Sequence, residues 1–321
     1  SWEKTDDGRI WTFHLRQGVK FHDGTPLDAE AVKFSYERVM DENHPYYNTK
    51  MAHWHNTAFA KVESVEAMDA STVKITLKDP AYPFFEYMAG FMKIVSPAAV
   101  KDLGKEGFES APVCTGPFRV YKYDKANNVV DLRRFEDYWD PQYPQVDRIV
   151  FKVVTEPAVR IAELETGAAD VITNVPVDDV ERLEANPDVI VMPVPSSMFQ
   201  GIFFYHNVEP WDDVRLRQAL AYGIDRELMA QSVYAGRWYP AANNLLPYTP
   251  GWDASDMPYP YDPEKAKQLL AEAGFPDGLK TKLSMPATSG MNPAGTRWGE
   301  FIQEQLKKIN IEVELEVLEA A

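Results

Sequence analysis

The stretch from Trp11 to Val39, WTFHLRQGVKFHDGTPLDAEAVKFSYERV, leaves little choice of local structure. Trp11, Phe13 and Leu15 alternate with Thr12, His14 and Arg16, which is the period of a strand with one apolar face. Gln17-Gly18 interrupts the run, and Val19 and Phe21 resume a short extended segment. His22-Asp23-Gly24-Thr25-Pro26 is dense in turn-forming residues. Asp28 is placed to cap a helix that carries Val32, Ser35, Tyr36, Val39 and Met40 along one side. Strand, polar turn and amphipathic helix follow one another with no room for a long loop.

The same grammar continues down the chain. Lys61 to Met68 and Val73 to Leu77 read as strands around the turn Asp69-Ala70-Ser71. Phe84 to Met92 reads as a short helix, and Ser96-Pro97 starts another that should end near Leu103-Gly104. Phe118 to Lys122 and Val129 to Arg133 form a hairpin around Asn127-Asn128. Ile149 to Val154 is a β-branched strand. Pro157 opens a helix expected to turn Val159, Ala162 and Leu164 inward and to stop at Gly167. Val171-Ile172 and Val189 to Met192 read as short strands on either side of a helix from Val177 to Ala185. That alternation predicts βαβ units. Further on, Val214 to Tyr222 is helical and Asp225 caps the next helix. Asp262-Pro263 starts a helix with Ala266, Leu269, Leu270 and Ala273 on one face, closed by Gly274. Leu283 lies in a strand, Gly295 to Ile309 is a helix, and Ile311 to Leu318 alternates as a strand, a second βαβ unit.

A chain of 321 residues exceeds the roughly 250–300 at which a single core stops growing, so two or more lobes are expected. The formal net charge of −16 argues against a nucleic-acid partner, which needs clustered Lys and Arg, and against adsorption to anionic lipid. The single cysteine, Cys114, allows neither a disulfide within the chain nor a zinc site of the cysteine type. No run of 18 or more apolar residues marks a membrane span.

No catalytic motif stands out: there is no G-x-S-x-G, no H-E-x-x-H and no Walker A sequence. An enzyme is therefore not expected. His53-Trp54-His55 is the most metal-like segment, because two histidines at i and i+2 share a face of an extended chain. The plainer reading is a polar loop with two ordinary histidines around a packed tryptophan. No metal site and no cofactor are expected.

The run F-H-L-R-x-G-V-x-F-H-D-G-T-P-L-x-A-E-x-V-x-F-S, Phe13 to Ser35, resembles the signature of the family 5 extracellular solute-binding proteins, the peptide-, nickel- and opine-type receptors of bacterial ABC importers. Four later stretches resemble the same family in the same order. They are Thr115 to Phe118, Phe135 to Trp139, Trp211 to Leu220 with Ile224-Asp225, and Tyr261 to Ala266 through Ala273-Gly274-Phe275. The resemblance implies an α/β, two-lobed fold like that of the type II periplasmic binding proteins, with an extra small α+β domain and incomplete at both termini. It divides the chain into a small domain (1–113), a partial lobe I (114–200) and a partial lobe II (201–321), with the hinge crossing near Val194 to Tyr205. Trp139 falls in a segment expected to be structural. Cys114 stands where relatives usually have glycine before Thr-Gly-Pro and is expected to be a buried, inert thiol.

Topology points to the binding loops. In open α/β sheets, ligands meet the loops after the carboxyl ends of the strands. Those loops are Thr155-Glu156-Pro157, Asn174-Val175-Pro176 and Pro286 to Gly295. In the last, Thr288, Ser289, Met291 and Asn292 offer hydroxyls, an amide and an apolar contact ahead of a helix N-terminus. Apolar pocket walls are assigned to Tyr46, Tyr47 and Trp54 in the first domain, and to Met198 and Phe199 at the hinge. In dipeptide-binding members of the family, the resemblance implies an arginine in this loop for the peptide carboxylate. Ser289 stands there instead, which disfavours a simple dipeptide.

The expected function is capture of a small solute, an oligopeptide or peptide-like molecule, in a cleft between the lobes. Delivery to an ABC permease in the membrane would follow. The resemblance implies a periplasmic or extracellular monomer, with a lipid anchor compatible with the full-length protein. A receptor for a metal chelate, haem, opine or oligosaccharide on the same scaffold is the alternative. A non-transporting interaction module or incomplete fragment is the alternative from another class.

Overall fold

A computed structural model of the chain describes residues 1–48, 50, 59–81, 83–194, 200–240, 245, 251–253, 258–286 and 294–318. The chain divides into two compact units, Ser1–Val153 and Val154–Ala321.

In the first unit, β1 (Trp2–Lys4), β2 (Ile10–His14), β3 (Val62–Ala67) and β4 (Thr72–Leu77) form an antiparallel sheet in the order β1-β2-β4-β3. The alternation in β2 buries Trp11 and leaves His14 exposed. Helix α1 (Ala29–Met40) begins where expected, with Asp28 Oδ1 accepting the Ala31 N–H at 2.8 Å. Its Val32, Tyr36 and Val39 pack with Phe59, Val65, Val73, Ile75 and Leu77. Helix α2 (Phe84–Phe91) closes that core with Phe84. Helix α3 (Pro97–Ser110), capped by Ser96, breaks at Gly104, where its first segment was expected to end. Gly104 takes φ +64°, where a residue without Cβ is at ease, and the helix resumes beyond the kink to bury Phe108.

β5 (Phe118–Asp124), β6 (Val129–Arg134) and β7 (Arg148–Lys152) form a second antiparallel sheet. The hairpin turns as expected, with Asn128 at φ +51°. β7 had been expected to open a βαβ unit; it pairs instead with β6 in a meander.

This meander belongs to the first unit, so the boundary expected at 113/114 falls inside it. His22 shows why. Its backbone N–H donates to Cys114 O at 2.9 Å, and the Cys114 N–H donates to His22 Nδ1 at 3.4 Å. That acceptor role places the ring proton on Nε2, which donates to Gly116 O at 2.9 Å. The ring meets Phe135 edge-on at 5.0 Å. Nearby, Lys20 pairs with Asp137 at 2.8 Å, and the Arg16 guanidinium lies 4.0 Å over the Trp139 ring. Trp139 is thus a packing residue, as expected. The turn after β2 and the entry to β5 are one structure.

The second unit contains α4 (Pro157–Glu165), α5 (Val177–Glu184), α6 (Val214–Gly223), α7 (Arg226–Ser232), α8 (Pro263–Glu272), β8 (Leu279–Pro286), α9 (Arg297–Lys307) and β9 (Ile311–Leu318). The expected βαβ unit is present, with β8 and β9 parallel from Leu279↔Ile311 to Pro286↔Leu318. Leu216, Leu220, Leu269, Leu270, Ile302, Leu306 and Ile309 fill its core. β9 alternates as read through Leu315: Ile311 and Val313 are buried and Leu315 packs against the same core, whereas Val317 is exposed. Gly278 sits at φ +90°, and a Cβ there would fall 1.8 Å from Asn310 O, so only glycine lets the chain enter β8.

Two expectations fail here. Helix α4 buries Ile161, not Val159 or Ala162, because Ile161 and Leu164, three apart, form the inward face. Val171-Ile172 and Val189 to Met192 pair with no strand among the described residues, and Val171, Ile190 and Met192 are 81%, 86% and 77% exposed.

Leu306→Ala is expected to destabilise the second unit by about 2–5 kcal/mol in urea unfolding, as for a fully buried leucine. Val171→Ser should change stability by less than about 0.5 kcal/mol. For His22, burial first, then the charge of Arg119, holds the imidazole below its ordinary 6.5 against the opposing pull of Gly116 O and Asp23. The folded chain then binds fewer protons than the unfolded one, so this contribution is full above pH 6.5 and lost as pH falls below it. The thermal midpoint should drop over that window, and His22→Gln, which has no proton to gain, should flatten the dependence.

Candidate functional site

The structure tests the expected binding residues unevenly. Trp54, Met198, Phe199, Thr288, Ser289, Met291 and Asn292 lie outside the described residues, as do His53 and His55. Tyr46 and Tyr47 are described, in the first unit. Tyr46 is half-buried against Phe34 and the cluster of Val95, Ala99, Val100 and Phe108. Its N–H donates to His44 Nδ1 at 3.2 Å, and its carbonyl accepts from Arg38 Nε at 3.5 Å. The Tyr47 N–H donates to His44 O at 2.9 Å, closing the loop after α1.

The loops chosen from topology fare better. Arg160, one turn into α4, gathers the ends of two of them. Its Nη1 donates to Val154 O at 2.7 Å and to Thr155 O at 2.9 Å, and its Nη2 to Asn174 O at 3.0 Å. Asn174 adopts φ +56°, a conformation that asparagine tolerates better than most residues. The loops Thr155–Pro157 and Asn174–Pro176 are therefore held side by side.

Arg297, in the first turn of α9, ties the start of that helix to α5. Its Nη1 donates to both carboxylate oxygens of Asp178, at 2.7 and 2.5 Å, and its Nη2 to Val233 O at 2.5 Å. Asp178 lies in the first turn of α5, directly after Asn174–Pro176. An acid there also suits the positive end of the helix. Beside this pair, Tyr234 stacks on Trp238 with ring centroids 4.4 Å apart and donates its hydroxyl to Gln200 Oε1. Burial pushes the Tyr234 phenol up, and the Arg297 charge opposes it only in part. Arg237 completes the surround with a fork to Glu184 at 3.1 and 2.7 Å.

This arrangement positions loops; it carries no nucleophile–base pair. Among the described residues no group of three or more His, Cys, Asp or Glu could hold a metal. Cys114 is half-buried and burial pushes its thiol up, which disfavours the reactive thiolate. Sequence reading missed Arg160 and Arg297. Each is an arginine within the first turn of a helix that leaves a candidate loop, and that placement was the available signal.

The sequence profile of the bacterial extracellular solute-binding proteins, family 5 Middle, matches residues 1–321. The chain belongs to this family. It is similar to heme-binding protein A of Haemophilus influenzae, 36% identical over 327 residues that cover 97% of this chain and 59% of that protein. It is 34% identical over 324 residues to the glutathione-binding protein GsiB of Escherichia coli K12, covering 100% of this chain and 60% of that one. Among solved structures it resembles the periplasmic binding protein DppA of Helicobacter pylori in complex with peptide STSA. There the TM-score is 0.82 at 30% identity, covering 99% of this chain and 64% of that one. The fold is thus the mixed α/β fold of the type II periplasmic binding proteins, and the chain spans 59–64% of the length of these relatives. The five motifs read from sequence carried the family correctly. Among the described residues no helix is long and apolar enough to cross a membrane.

Arg160→Met should loosen the paired loops while leaving α4 helical. Three hydrogen bonds from a charged donor are lost, for about 1–3 kcal/mol of local stability. Amide exchange should rise at Thr155 and around Asn174 and stay unchanged in β8 and β9.

Proposed function

We propose that this family 5 protein works as the solute receptor of an ABC importer. It captures a peptide-like molecule outside the cytoplasm and hands it, chemically unaltered, to a membrane permease. The observation that carries this reading is the match along the whole chain to proteins named for glutathione, itself a peptide. Superposition on a binding protein that holds the peptide STSA points the same way. The mechanism is binding with a shift in conformational population, and no bond is made or broken. The loops clamped by Arg160 and Arg297, together with Thr288, Ser289, Met291 and Asn292, would supply polar contacts to the peptide backbone. With serine rather than arginine at position 289, the site is better suited to a longer or modified peptide than to a simple dipeptide. The protein would act as a monomer in the periplasm or on the cell surface.

A second reading rests on the 36% identity to heme-binding protein A: the same scaffold would then carry a porphyrin or another chelate. Calorimetric titration with tetrapeptides, reduced glutathione and hemin separates the two. Saturable binding of a peptide or of glutathione, recovered intact by mass spectrometry, is the expected result. Binding of hemin alone would shift the function to the second reading. Hydrolysis of the recovered peptide would overturn the proposal that no chemistry is performed.

A further inference from the structure

The meander β5-β6-β7 places three arginines side by side. Arg119 pairs in register with Arg133, and Arg133 with Arg148. Directly opposed residues of neighbouring antiparallel strands share a face with Cβ atoms roughly 4.5–5.5 Å apart, and like charges so placed destabilise the sheet. β6 supplies a remedy for one half of the row. Asp131, two residues along the same face, accepts from Arg148 Nε at 3.1 Å and Nη2 at 3.0 Å, and lies 3.2 Å from Arg133 Nε. The Arg148 hydrogen bonds, aided by the Arg133 charge, hold the Asp131 carboxyl below the usual range. Arg133 is further steadied over the Tyr121 ring, 4.8 Å from its centroid.

The other half of the row has no such acid. Arg119 is exposed, and among the described residues it has no ion pair and no side-chain hydrogen bond. The chain carries 49 Asp and Glu against 33 Lys and Arg, yet among the described residues no ion pair joins one of those acids to Arg119. Its charge is felt at His22, where it acts with burial against protonation. The patch is thus a rigid, strand-borne positive spot on an acidic protein.

We propose that Arg119 and Arg133 form a docking point for an acidic segment of a partner protein. A carboxylate of that segment would occupy, between Arg119 and Arg133, the place that Asp131 occupies between Arg133 and Arg148. The arginine fork matches a carboxylate in two-point geometry, which a lysine would not. A single exposed ion pair holds little by itself, so the occupant brings several acidic side chains rather than one. Such contacts act on encounter rate and partner choice more than on raw affinity.

The test titrates the full chain with hexaglutamate at low ionic strength. Saturable binding that weakens steeply with added salt is expected. Arg119→Glu should reduce affinity roughly tenfold or more by opposing like charges. Arg119→Lys, which keeps the charge but loses the fork, should fall between. Arg119→Lys should leave the thermal midpoint unchanged, because the side chain is exposed and the charge is kept, and Arg119→Glu should hold or raise it, because an opposite-charge pair replaces two opposed arginines. As a second readout, the His22 imidazole should titrate at higher pH with the peptide bound, and Arg119→Glu should abolish that response to peptide. Equal affinity of the parent chain and Arg119→Glu overturns the proposal. So does inorganic phosphate binding at this row as tightly as the peptide, which would make it a small-anion site.

Discussion

An extended segment keeps its backbone N–H and C=O groups paired only where a second strand lies alongside, and the supply of such neighbours decides where this chain is sheet. β2 lies between β1 and β4, and β6 between β5 and β7. Among the described residues β8 and β9 pair with each other alone, in parallel, and depend on the helix between them to cover one face. Val171-Ile172 and Val189 to Met192 have the same β-branched and apolar composition as these strands, but no strand partner among the described residues, and they remain irregular, with Val171, Ile190 and Met192 exposed. Residue type proposes a strand; the neighbour disposes of its hydrogen bonds.

Where strands do not hold the chain together, side chains bonded to backbone do. His22 closes the turn after β2 onto Cys114 and Gly116, and a neutral ring is what lets it accept on one nitrogen and donate from the other. Arg160 makes the equivalent closure in the second unit with three carbonyls. Such bonds differ in kind from the surface pairs on β8 and β9, such as Lys280 with Glu312 at 2.7 Å, where both side chains are largely exposed. Exposed pairs contribute little, whereas a guanidinium that gathers carbonyls from two loops fixes their separation. The arginines matter here as struts more than as charges.

These features were legible in the sequence to different degrees. Asp28, Ser96, Asp225 and Asp262 were each readable as helix caps, and each accepts a backbone N–H in the structure. That signal is local, so it survives without tertiary information. The inward face of α4 was not readable, because Val159, Ile161, Ala162 and Leu164 offer two adjacent apolar faces and only packing chooses between them. The division of the chain was obscured for the same reason. Nothing in the spacing of His22 and Cys114 announces that their backbones are paired across 92 positions. In the candidate site, the loops were chosen from an expected topology that β7 and Val171-Ile172 do not follow, and the arginines that join their ends were not legible, since a bond from Arg297 to Asp178 spans 119 positions. Tyr46, chosen as an aromatic pocket wall, was drawn into packing by its neighbours Phe34 and Phe108.

The same contrast explains how one scaffold can serve different guests. Relatives named for heme and for glutathione match this chain at 36% and 34% identity, so the shared fold does not choose between such ligands. In the second unit the ends of the loop between β8 and α9 are fixed by packing. Met285 before it and Trp298 and Ile302 after it are all buried in one core. A Cβ on Gly299 would fall 2.3 Å from Met285 Sδ, so the helix approaches the strand as closely as a glycine permits. Arg297 then ties the helix start to Asp178. Both ends of the segment between Met285 and Arg297 are thus set by core packing and one ion pair, features of the fold that carry no preference between the ligands these relatives are named for.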